Sequence, residues 1–164
     1  MLHLVFERAQ LFAESTKLDI FFAYGSTWRN THSDELDRFV KRGDARIRVV
    51  LPDYADDQTM TELTRRFGYG KEDLIRRVTE AQEYFSRLNE VARTYGSAVD
   101  VWALPAAPQF TFYRFDNKAI LALYSHRKER TAVPTLVLAK GNLYEFIKRE
   151  FDAMIKDNGL AKKF

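Results

Sequence analysis

The chain has 164 residues, of which 46% are hydrophobic and 14% aromatic. That is one domain by length, with enough apolar area to bury a core, and it excludes an unstructured polymer. The absence of cysteine excludes a disulfide framework, a thiolate metal site and a cysteine nucleophile, and a count of only three histidines argues against a histidine-based metal centre.

The N-terminal stretch MLHLVFERAQLFAES sets Leu2, Val5, Phe6, Ala9 and Phe12 at helical spacing and predicts a helix over 2–14 within an N-terminal segment 1–16. Glu7 and Arg8 interrupt it, which argues against a membrane span and a signal peptide; a cytoplasmic protein is expected. LDIFFAYGS, from residue 18, reads as a buried strand that stops at Gly25. Ser33 reads as the cap of a helix with Leu36, Phe39 and Val40 on its core face, ended by Gly43. ARIRVVLPD is a second strand. A short helix over 58–67 precedes a long one over 72–95, whose stripe runs Leu74, Ile75, Val78, Ala81, Phe85, Leu88, Ala92 and Tyr95. AVDVWAL, 109–115, 118–125 and 133–139 are four further strands. Asn142 with Glu145 resembles a capping box for a last helix with Leu143, Ile147, Phe151 and Met154 inward. No linker or repeat interrupts the chain, so 1–164 is expected to be a single domain with its core over 18–155. The element order predicts an α/β fold: a mixed β-sheet flanked by helices, with the early strands parallel. A site is expected beyond the strand ends that carry YGSTWRN.

Residues 109–125 resemble the signature strand pair of the phospholipase D superfamily, whose fourth strand carries His-x-Lys-x4-Asp. Here the frame reads Gln109-x-Thr111-x4-Asp116, and the next strand ends in LYSHR at 123–127. The opening strand into YGSTWR and the basic strand RIRVVLPD are also similar to the family's first half, so the resemblance covers about 18–155. It implies a phospholipase D-like fold and a two-fold homodimer. It also implies a histidine nucleophile that forms a phospho-histidine, and a lysine that stabilises charge on the phosphoryl oxygens. Gln109 cannot be that nucleophile, and the Thr111 hydroxyl replaces the ammonium; Asp116 alone matches the motif. Similar short domains occur in bacterial regulatory and defence systems.

The resulting expectation is a catalytically degenerate module with a regulatory or sensing role that binds a phosphate-containing ligand, either a nucleotide or nucleic acid, and needs no cofactor. The ligand-binding candidates are Gln109, Thr111, Tyr113 and Asp116 on or beside the motif strand, Ser26, Thr27 and Arg29 after the first strand, and Ser125, Arg127 and Lys128 after the fifth. They offer hydroxyls, guanidinium forks and aromatic faces suited to phosphate or a base. Strand alternation sets Arg114 on the face opposite Thr111 and Tyr113, where pairing with a strand carboxylate is its alternative role. Two other readings stand beside this one. An active phosphodiesterase or nuclease would need a replacement nucleophile or base, for which His126 and His32 are the candidates. A purely structural assembly domain would use neither. A dinucleotide-binding fold fits less well, because YGSTWRN lacks G-x-G-x-x-G spacing.

Overall fold

The computed structural model describes residues 9–125, 134–156 and 159–164. Residues 9–14 are helical, and the earlier part of the expected first helix lies outside the described residues. One seven-stranded sheet then organises the chain: β1 (Lys17–Phe21), β2 (Arg46–Pro52), β3 (Ala98–Leu104), β4 (Phe110–Phe115), β5 (Lys118–Leu123), β6 (Thr135–Leu138) and β7 (Lys162–Lys163), in spatial order β6-β5-β4-β1-β2-β3-β7. β1, β2 and β3 are parallel to one another and all other pairs are antiparallel. This is the mixed sheet that the element order predicts.

After that N-terminal helical segment, the helices are α1 (Ser26–Thr31), α2 (Ser33–Lys41), α3 (Asp57–Phe67), α4 (Lys71–Tyr95) and α5 (Asn142–Ile155). On the front face, Leu18, Ile20, Ile47 and Val49 pack with α2, α3 and α4 through Phe39, Leu63 and Phe85. On the back face, Phe21, Val50, Phe112 and Leu121 pack with Ile147 and Phe151 of α5. Alternation along each strand divides its residues between the two layers. Asp56 caps α3 by accepting from the Thr59 N–H at 2.8 Å. Gly43 ends α2 with φ +88°, and a Cβ there would stand 2.6 Å from the Tyr95 carbonyl oxygen, so both the backbone sign and the close approach require glycine.

Several expectations are corrected. The first strand stops at Phe21 rather than running on to Gly25, and the polar run after Gly25 is helical. Ser33 is the first residue of α2 rather than its side-chain cap, and α5 starts after Gly141 with no capping box. Tyr95 and Leu143 are 51% and 43% exposed, so both leave their expected core stripes; Tyr144 takes the inward position at the start of α5. β7 is too short and too basic to show an alternation signal, yet it pairs with β3.

The back face also carries a row of charge. Asp19 on β1 is directly opposite Arg114 on β4 and Arg48 on β2. It is 2% exposed, accepts from Arg114, and accepts from Arg48 Nε and Nη2 at 2.7 and 2.8 Å. Arg48 continues to Asp152 of α5 at 3.1 Å and lies 5.1 Å over the Phe151 ring. Removing a buried carboxylate strands its cations in low dielectric, whereas removing an exposed one loses little. Asp19→Ala is therefore expected to cost about 3 kcal/mol, the low end for a buried pair because Arg48 keeps solvent contact. Asp152→Ala should cost at most about 1 kcal/mol. Urea denaturation of the two variants checks this, and equal costs would contradict it.

Candidate functional site

The carboxyl end of β1 meets the amino end of β4, since Phe21 pairs with Phe112. Chain leaving β1 must turn sharply there. Gly25 makes the turn at φ +56°, and a Cβ on it would strike the Phe22 ring at 2.6 Å. The turn opens a cleft of about 230 Å³, bounded by residues 22–28, Phe67 of α3, Thr111 and Tyr113 of β4, and Tyr124 just after β5.

The cleft is built from rings and hydroxyls. Tyr113 stacks on Trp28 with 4.5 Å between centroids and 5° between planes. Phe67 meets both Tyr24 and Tyr124 edge to face. The Tyr124 hydroxyl oxygen accepts from Thr111 Oγ1 at 2.7 Å and from the Ala23 N–H at 3.1 Å, so it ties β5, β4 and the end of β1 together. Two guanidiniums lie over cleft rings: Arg66 is 5.9 Å from the Tyr124 centroid, and Arg77 is 5.6 Å from Tyr24 and 4.3 Å from Tyr69. Each is held in place, Arg66 by Glu62 and the Pro108 carbonyl, Arg77 by Asp73 at 2.9 Å. Burial, then the neighbouring Tyr69, pushes the Tyr24 phenol up to about 12, and burial raises Tyr124 as well.

Four of the sequence candidates meet in this cleft: Ser26, Thr27, Thr111 and Tyr113. Gln109 is exposed one residue before β4 and is not among the lining. Ser125 follows Tyr124 directly, while Arg127, Lys128 and His126 lie outside the described residues. Arg29 is carried away by the turn of α1: its Nε donates to the Tyr24 carbonyl at 3.0 Å and its guanidinium lies 5.3 Å over Tyr84. Burial lowers its pKa. His32 is buried against both Trp28 and Phe12, at centroid distances of 5.0 and 5.7 Å. Asp116 stands at the far end of β4, where φ is +30° and its carboxylate accepts from the Thr16 and Lys17 N–H groups. There it closes the start of β1 and does not reach the cleft.

Tyr24, Trp28, Phe67, Tyr124, Arg66 and Arg77 went unselected in the sequence. Tyr124 carries a usable signal, because it lies two residues past Ala122, the register partner of Thr111, and so shares its face. The arginines carry none, being ordinary members of charged helices. Among the described residues no cluster of histidine and carboxylate side chains is placed to hold a metal, and no helix is long and apolar enough to cross a membrane.

No known family model matches the chain, and no curated protein matches it. Among solved structures it is similar to TrmBL2, an archaeal chromatin protein whose structure shows a novel mode of DNA binding, with a TM-score of 0.53 at 11% identity over 90% of this chain. At that identity the likeness is one of fold. The chain spans 46% of the length of TrmBL2.

A phenol held at about 12 keeps its proton in the folded chain after the unfolded chain, with the ordinary value of 10.0, has lost it. Stability therefore falls as pH rises between those values. Melting temperatures across that window should fall less steeply for Tyr24→Phe than for wild type; parallel curves would contradict the assignment.

Proposed function

We propose that this chain is a phospholipase D-like module in which the motif frame serves binding. Its ligand is phosphate-containing, a nucleotide or a nucleic-acid end, and its role is regulatory or sensing. The observation that carries the reading is the aromatic cleft at the frame's own position. Thr111, which stands where the family has its lysine, lies on the floor with its hydroxyl engaged by Tyr124, beside the stacked Trp28 and Tyr113. Rings of this kind take a base by stacking, and the Arg66 and Arg77 guanidiniums at the Tyr124 and Tyr24 rings suit the attached phosphate. The fold neighbour is described as a DNA-binding chromatin protein, which is compatible with nucleic acid as one form of the ligand.

A homodimer is part of the same reading, and the edge strand β6 favours it. Among the described residues β6 is an edge strand; Leu136 and Val137 on it are 44% and 52% exposed, and Phe146 of α5 is 52% exposed. Such an edge templates pairing with a second copy.

One thermal-shift series tests both parts. At a hundredfold excess over Kd a ligand adds about 2.7 kcal/mol, or roughly 5–10 °C for a chain of this size. AMP should produce such a shift, adenosine a smaller one, and Arg66→Ala should reduce the AMP shift. No shift with any nucleotide at millimolar concentration would overturn the ligand assignment. Repeated over a wide range of protein concentration, the melting temperature should rise with concentration in wild type and not in Val137→Lys; a flat wild-type response would remove the dimer.

A further inference from the structure

The far end of the sheet's back face is not covered by α5. The helix packs Ile147 and Phe151 over the apolar rung formed by Phe112, Phe21 and Val50. The next rung inward along β1 is Arg114–Asp19–Arg48, and the one beyond pairs Lys17 with Arg46. Together with Lys148 from the helix, these rungs line an open groove of about 620 Å³ at the opposite end of β1 from the cleft. That is far more room than one small anion fills.

Its acids are consumed internally. Asp19 is held between Arg114 and Arg48, Asp152 accepts from Arg48, and Asp116 accepts from the backbone N–H groups of Thr16 and Lys17. The cations are not all consumed. Lys17 and Lys148 make no ion pair among the described residues, and among the same residues Arg46 reaches only the carbonyls of Ala45 and Gly96. Arg114 Nε is a buried donor with no acceptor among the described residues. The groove therefore presents excess positive charge from three separate elements, β1, β2 and α5, with an unsatisfied donor beside it.

We propose that this groove binds the phosphodiester backbone of a nucleic acid, with Lys17, Arg46 and Lys148 as its phosphate contacts. The lining contains no apolar side chain. An acidic protein partner would find no pocket for the aromatic or aliphatic anchors that dominate such interfaces, whereas backbone contacts to nucleic acid need only charge and hydrogen-bond donors. The groove stands apart from the cleft, and its occupation does not depend on the cleft reading.

Fluorescence anisotropy of a labelled thymidine oligomer against salt tests it. Lys17→Glu/Arg46→Glu/Lys148→Glu should weaken binding at least tenfold and reduce the salt slope by about 2, since each phosphate contact on a single strand contributes about 0.7. A control of equal charge on exposed helix positions, Lys41→Glu/Arg87→Glu/Arg93→Glu, should keep the wild-type slope. Melting curves verify folding, and if the triple variant fails, Lys148→Glu alone should still lower the slope by about 0.7. Wild type that does not bind at low salt overturns the proposal, and so does equal loss in the control triple. Displacement of the oligomer at matched ionic strength by polyglutamate would assign the groove to an acidic protein, and by inorganic phosphate to a single anion; either overturns it.

Discussion

A carboxylate with 2% exposure held between guanidiniums on both neighbouring strands constrains the whole sheet. Asp19 has partners only in the observed register. Sliding β4 by one residue would set it opposite Tyr113 or Phe115, and sliding β2 would set it opposite Ile47 or Val49. Each slip would leave a buried charge against apolar groups, a cost of several kcal/mol. The row therefore fixes how β4, β1 and β2 align, and that alignment brings Phe112 beside Phe21 and opens the cleft between Gly25 and Thr111. It also divides the back face, since the rung above it is apolar and takes α5 while the rung below is charged and open.

The two ends of β1 consequently have different chemistry. At the carboxyl end the chain turns on Gly25 into a helix too short to do more than reorient side chains. That single turn puts Trp28 against Tyr113 and sends Arg29 and His32 inward. At the amino end Asp116 holds the start of the strand through two backbone amides. The motif frame spans both, with Thr111 in the cleft and Asp116 at the far end. A spacing of five along one strand places the two near opposite ends of it, at about 3.4 Å per residue, so they cannot meet one small ligand.

Much of the architecture was legible because it rests on periodicity. β3, α3 and α4 follow directly from apolar spacing and helix punctuation, and the assignment of Arg114 to the face opposite Thr111 follows from alternation alone. What was not legible depended on tertiary context. Nothing local distinguishes STWRNT as a helix from a loop, and that one difference moved Arg29 and His32 out of the cleft. Leu143 and Tyr144 are adjacent candidates for an inward position, and only the placement of α5 against Phe112 and Leu121 decides between them. The cleft's aromatic character was hidden for a similar reason: Tyr24, Phe67 and Tyr124 come from separate elements and each, taken singly, reads as core.

The central claim is that the frame binds rather than cleaves. It is tested most directly by hydrolysis of bis(p-nitrophenyl) phosphate in the presence of a chelator, since the chemistry that the resemblance implies requires no metal. The account predicts no nitrophenol release above buffer, with wild type, His126→Ala and His32→Ala indistinguishable. Release by wild type that disappears in either histidine variant would contradict it and identify a replacement nucleophile or base.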